Sequence, residues 1–203
     1  MILLRLCFLS FFLLSMPARA IVEFTGNFGY DKKVYGSERQ NDQVRRSYSS
    51  SIAFYFTSRM AFELNYYHGK ETSTEVTRLR VQGTDVDLVG LQNRVETNVY
   101  GAGLRLALAD RNAFLRPLVS LGYAKQFVSD LTEYNFEGPA GNATLNGGLT
   151  KRRSDSVFGA FTLQLKITAG LSFNASVRTL FQAFEFNRAG DDLRYMFGFS
   201  WIF

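Results

Sequence analysis

Six charged residues, Glu23, Glu63, Arg105, Arg116, Lys166 and Arg178, hold the chemistry that the interior of this chain could do. Each falls in a run of alternating residues, in the register opposite the large apolar side chains. Charges held out of bulk water need partners of opposite sign. The set therefore predicts salt bridges that tie strands together across an enclosed lumen. The alternative is a wetted, mildly cationic pore, because basic residues outnumber acidic ones four to two among the six.

Catalysis would require a nucleophile beside its base. His68, in "YYHGKETS", is the one histidine and falls in the apolar register, so its reading is that of an interface residue. Cys7, the one cysteine, lies in an N-terminal leader, which leaves the rest of the chain without a thiolate site or a disulfide. No cluster has metal-ligand spacing, and the Gly-rich "EGPAGNATLNGG" lacks the spacing of a phosphate loop. These residues predict no enzyme, no cofactor and no metal. A second cationic set, Arg45, Arg46, Lys151, Arg152 and Arg153, is expected at one rim, either binding phosphate groups or simply solvated.

The elements that must position these groups are strands. Residues 21–34, 48–57, 60–69, 98–109, 113–127, 157–167, 171–183 and 193–203 alternate apolar and polar side chains, the pattern of a strand with one apolar face. Most reach the length of about 9–11 residues that a tilted strand needs to cross a bilayer. The segment 171–186 is the least regular, since Leu180, Phe184 and Phe186 fall in its polar register, so a bulge or early exit is expected there.

Connections alternate too. Tight turns are expected around Thr57–Arg59, Ala109–Asn112 and Thr168–Gly170, with longer joints at 35–43, 71–97 and 129–155 and a short one at 187–191. That is the arrangement of an antiparallel barrel with short turns on one rim and larger loops on the other. The segment 71–97 reads as a hairpin rising outside the membrane, and a count of ten strands is the alternative. Loop 129–155 reads as flexible.

Residues 1–20, "MILLRLCFLSFFLLSMPARA", have a basic start, a short apolar stretch and the small-x-small Ala18-Arg19-Ala20, the pattern of a cleaved secretory signal peptide. Without Arg5 and Arg19, 21 basic residues face 18 acidic ones, too mild an excess to argue for nucleic acid. No later apolar run approaches the ~18–20 residues of a spanning helix. A membrane form must therefore cross as strands.

Which face looks outward is decided by composition. A lipocalin-like soluble barrel would turn its apolar face inward. Here the polar register is mostly Gly, Ala, Ser, Thr, Asn and Gln, whereas a solvated exterior would be richer in Lys and Glu. Tyr30, Tyr48, Tyr66, Tyr100, Tyr123 and Tyr195 recur at matching heights in the apolar register, as expected where rings meet lipid and hydroxyls meet water. Phe24, Phe56, Phe62, Phe173, Trp201 and Phe203 supply a second aromatic ring near the other rim. Only a closed barrel lets strands cross a bilayer with every backbone group paired.

The chain ends "LRYMFGFSWIF", in which Leu193, Tyr195, Phe197, Phe199, Trp201 and Phe203 share one face. With the signal peptide and the barrel architecture, this ending resembles the small outer-membrane β-barrels of Gram-negative bacteria, of the OmpA transmembrane-domain and OmpX type. The resemblance implies an all-β, eight-stranded antiparallel transmembrane up-and-down β-barrel over 21–203. It implies that Tyr195, Phe197, Phe199, Trp201 and Phe203 form the signal read by the barrel-assembly machinery. It also implies a monomer among outer-membrane lipids and lipopolysaccharide. The Tyr-Arg-Phe ending common in OmpX relatives is absent. The expected role is structural or surface-interacting, with loops displayed on a rigid plugged barrel; the alternative is a narrow outer-membrane channel for small solutes.

Overall fold

Alternation of the kind seen here forces pairing, because a strand with one apolar face cannot satisfy its backbone alone. The computed structural model describes residues 21–36, 38–182 and 193–203. The predicted signal peptide with Cys7, and Phe184, Phe186 and the 187–191 connection, lie outside the described residues. Eight strands follow in chain order: β1 (Ile21–Tyr35), β2 (Asn41–Tyr55), β3 (Met60–Arg80), β4 (Asp87–Ala107), β5 (Leu115–Gly138), β6 (Gly141–Lys166), β7 (Leu171–Gln182) and β8 (Arg194–Ile202). Each pairs antiparallel with its neighbours, and β8 returns to β1 to close the barrel.

The ring does not close on itself at one level. From Ile21, successive cross-strand partners are Tyr55, Ala61, Arg105, Ser120, Ala160, Arg178 and Arg194. Arg194 lies three residues before Phe197, whose partner on β1 is Phe28, so the ring returns at the level of Asp31 rather than Ile21. This stagger tilts the strands and sets the bore of a barrel of this strand number, just wide enough for side chains to fill.

Turns at 56–59, 108–114 and 167–170 share one rim, and the chain end joins them there. Ile202 N–H donates to Gly170 O at 2.8 Å and Phe203 N–H to Val22 O at 2.9 Å. The apolar register points outward: Phe24, Ile52, Leu64, Leu104, Leu121 and Phe161 are all exposed. The opposite register fills the lumen. Gly103 and Gly122 face each other across β4 and β5 with their backbones in close approach, and the missing side chain of Gly122 admits the Phe158 ring, 2.5 Å from where its Cβ would sit.

The eight-strand count holds, but the strands are taller than their alternation suggests. The 71–97 connection shrinks to a turn at 81–86, and 129–155 is not a flexible loop: β5 and β6 pair continuously up to Gly138–Gly141 apart from one irregularity. Because β4 and β5 also pair as far as Asp87–Glu137, β3 to β6 continue upward as one sheet beyond the barrel. Strand β2 starts at Asn41, so the first long joint reduces to 36–40. Strand β7 pairs with β6 without interruption to Gln182, so the bulge expected there is absent from the described part, and Leu180 points inward.

Candidate functional site

The lumen is built in layers. At the short-turn end Ala53, Tyr55 and Ala61 form a small apolar floor with Ile21 against it. Directly above lies the charged layer, whose centre is Glu23 on β1, a wholly buried carboxylate. Its Oε1 accepts from Arg105 Nη1 at 3.0 Å and from Gln164 Nε2, and its Oε2 accepts from Arg116 Nη1 at 3.2 Å and from the Tyr55 hydroxyl at 2.8 Å. Arg105 also forks onto Glu63, with Nε to Oε2 at 3.1 Å and Nη2 to Oε1 at 2.7 Å, and Nη2 reaches Ser51 at 2.8 Å.

The layer extends to the remaining strands. Gln164 donates to Ser200 Oγ at 2.9 Å, and the Asn174 side-chain amide lies 3.3 Å from the same hydroxyl. All eight strands thus contribute a side chain to one hydrogen-bonded level, and its two carboxylates face two guanidiniums. Bidentate Arg–carboxylate contact adds geometric specificity to charge. Arg116 additionally stacks over the Tyr55 ring at 5.0 Å.

A polar cavity of about 30 Å³ separates this layer from the next, bordered by Asn65, Ser120, Thr162 and Ser176 among others. That is room for a water or two and little else. Arg178 forms its roof, donating to Asn65 Oδ1 at 2.9 Å, with its guanidinium 5.3 Å from the Tyr67 ring and 5.2 Å from the Phe158 ring. Above it Tyr67, Val99, Ala124, Phe158, Leu180 and Met196 form a dry layer.

Of the six lumen charges read from the sequence, Glu23, Glu63, Arg105 and Arg116 come together, while Arg178 stands one layer higher on aromatic rings rather than on a carboxylate. Lys166 does not join. It is the last residue of β6, at the short-turn rim beside Arg111 and Ala169, where its chain reaches water. Tyr55, Gln164, Asn174 and Ser200 complete the layer, and being uncharged they are not marked by the pattern of charges. Their place in the polar register was legible, but their height relative to Glu23 depends on the stagger.

The five rim cations are not one cluster. Arg45 turns into the mouth and pairs with Glu71 at 2.7 Å, and Arg152 turns the same way, 3.6 Å from Asp130. Arg46, Lys151 and Arg153 face outward, Arg46 on β2 and the other two on β6, and Arg153 covers the Phe127 ring at 5.5 Å. Alternation makes this split unavoidable: neighbours along a strand point to opposite faces.

On the outer face Tyr30, Tyr48, Tyr66, Tyr100, Tyr123 and Tyr195 are all exposed. Several make contact along the ring: Phe28 with Tyr48 at 5.2 Å, Tyr48 with His68 at 6.5 Å, Tyr66 with Tyr100 at 5.1 Å, and Tyr100 with Phe127 at 6.0 Å. His68 belongs to this belt. Its Nδ1 lies 2.9 Å from Asn98 Oδ1, which also accepts from the Tyr66 hydroxyl. Tyr195, Phe197, Phe199, Trp201 and Phe203 form an exposed aromatic ribbon along β8 and the chain end, and Phe173 on β7 packs against Phe199 at 5.7 Å.

No protein-family model matches this chain, and no curated protein does. Solved structures do. The N-terminal β-barrel domain of Pseudomonas aeruginosa OprF aligns over 91% of this chain and 98% of its own, with a TM-score of 0.54 and 14% identity. The outer membrane protein OprG from the same organism aligns over 91% and 96%, with a TM-score of 0.55 and 12% identity. At such identities the likeness is one of fold, and the fold is that of small outer-membrane barrels.

Proposed function

We propose that this chain is an integral outer-membrane protein whose barrel is closed to solutes and whose tall hairpins form a surface-interaction platform. The observation that carries this reading is the charged layer joined to all eight strands, with a dry aromatic layer above it. A solute path would have to break both. The outward apolar belt, bounded by aromatic residues towards both rims, supports a bilayer around the barrel. The four-stranded sheet of β3 to β6 supports a role in display, since it rises well beyond that belt on a rigid base.

On this reading the 1–20 leader exports the chain through the inner membrane, and the aromatic ribbon ending at Phe203 is its address to the barrel-assembly machinery. His68 serves the lipid interface rather than catalysis: its ring stacks on Tyr48 and its near nitrogen is taken by Asn98.

Single-channel recording of the refolded chain in a planar bilayer tests closure, with Glu63→Gln alongside. The parent is expected to be silent. Steady openings in the parent that shift in Glu63→Gln would overturn the closed barrel and make the protein a narrow channel for small solutes.

A further inference from the structure

The outer face changes character abruptly above the tyrosines. On β1 Tyr30 is followed outward by Lys32, on β2 Tyr48 by Arg46, on β3 Tyr66 and His68 by Lys70, and on β5 Tyr123 by Lys125. Within this collar two cations are direct cross-strand partners: Arg46 faces Lys70, and Tyr30 faces Arg46 from the other side. Like charges set directly opposite each other on one face of a sheet are destabilising unless an anion lies between or beside them.

Among the described residues the chain supplies only part of that anion. Glu96 lies 3.4 Å from Lys70, and Asp42, farther up, lies 3.7 Å from Lys32. A further anion of the collar, Asp155, is held by the Tyr123 hydroxyl on β5. Among the described residues Arg46 has no carboxylate within salt-bridge distance. A recess of about 270 Å³ opens beside it, lined by Asp42, Val44, Arg46, Lys70, Thr72 and Thr74. All six share the outward register, so the recess faces the surroundings of the barrel and not its lumen.

We propose that this recess binds a phosphorylated lipid headgroup of the surrounding leaflet, with Arg46 and Lys70 on the phosphate and the Thr72 and Thr74 hydroxyls as further donors. The proposal rests on the membrane reading given above. Position commits it to a lipid rather than to free phosphate. The site is open to the side, and it lies one step above the Tyr48 and His68 rings, at the height where a bilayer turns from acyl chain to headgroup. A planar guanidinium beside an ammonium suits phosphate oxygens, which accept charge-assisted bonds from both.

The test uses the full refolded barrel in an uncharged maltoside detergent, doped with a bisphosphorylated glucosamine lipid or with its dephosphorylated counterpart. Native mass spectrometry reads the lipid retained. Arg46→Gln/Lys70→Gln is expected to lower retention of the phosphorylated lipid by on the order of tenfold. The charge-matched Arg78→Gln/Arg80→Gln, on the hairpin tip, should retain it like the parent. Equal retention by Arg46→Gln/Lys70→Gln and the parent, or equal retention of both lipids by the parent, would overturn the site. Complete displacement of the lipid by millimolar inorganic phosphate would overturn the lipid assignment and leave an anion site. Quenching of Trp201, the single tryptophan, by bromine-labelled acyl chains separately tests the membrane reading, because Trp201 is far from the recess and points outward.

Discussion

Removing Arg105 should damage this barrel more than removing both Arg105 and Glu63. The guanidinium joins Glu63 through two bonds of 3.1 and 2.7 Å and Glu23 through one of 3.0 Å, and both carboxylates are almost fully buried. Arg105→Met leaves Glu23 bonded to Arg116 and strips Glu63 of its salt bridge. Breaking a buried pair from one side costs about 3–5 kcal/mol, chiefly as the penalty of the stranded charge. Glu63→Met strands the opposite sign at similar cost. The double variant keeps Glu23 with Arg116 at 3.2 Å, Tyr55 and Gln164, and the layer is again neutral. Its cost should therefore fall below that of either single substitution, a coupling of at least about 3 kcal/mol. Urea unfolding in lipid vesicles, followed by Trp201 fluorescence, measures all four corners of the cycle. Additivity within about 0.5 kcal/mol would refute the reasoning, because it would mean that the two side chains do not share one buried charge balance.

Three further outcomes follow from the same geometry. Gly198→Ala should prevent closure of the β1–β8 seam, because its Cβ would collide with the Gly26 carbonyl oxygen and stand 2.6 Å from Asn27 Cα, whereas Gly26→Ala meets nothing closer than 3.9 Å and should fold normally. Circular dichroism of the two refolded variants distinguishes them. Phe158→Ala, which empties the dry layer, should cost about 3–5 kcal/mol in the same urea assay. Replacing 132–148 by an Asn-Gly turn between the paired Leu131 and Leu149 should leave thermal unfolding of the barrel within a few degrees of the parent, as read by circular dichroism.

What the sequence made legible follows from how strongly each position is constrained. The eight strands, the three tight turns and the outward face could be read because one face meets an apolar surrounding and the other a packed polar lumen, which writes period two into the chain. That constraint ends above the belt. In Glu71–Arg80 and Leu131–Gly138 both faces of the sheet lack the lipid-and-lumen contrast, so the alternation fades while the strand itself persists. The arms therefore read as loops. Register was hidden for a different reason. Glu23, Glu63, Arg105 and Arg116 could be assigned to the lumen from parity alone, but parity does not give height, and Lys166 has the right parity at the wrong level. Arg45 and Arg46 show the opposite case: they adjoin in sequence, yet parity sends them to opposite faces.

A charged layer inside a narrow barrel is at first sight an expensive way to fill space, since well-packed apolar side chains of similar volume are often no less stable. The membrane reading supplies the reason. A strand with lipid on one side and an apolar core on the other would be apolar throughout, and its chain would be held back in the first bilayer it met or would aggregate in water on the way to the second. Alternation keeps the mean hydropathy at −0.07, close to that of a soluble protein. The polar register that keeps the unfolded chain soluble must then be buried when the barrel closes. Buried polar groups are tolerable only when nearly all are partnered. At Glu23 the carboxylate takes four donors from four strands within 3.2 Å, while Arg116 bonds through Nη1 and lays the rest of its guanidinium over the Tyr55 ring, its Nε and Nη2 without a hydrogen-bond partner. On the membrane reading, the charged layer is the consequence of a polar register that closes inward, and the display role proposed for β3 to β6 falls to the part of the molecule that the bilayer would not enclose.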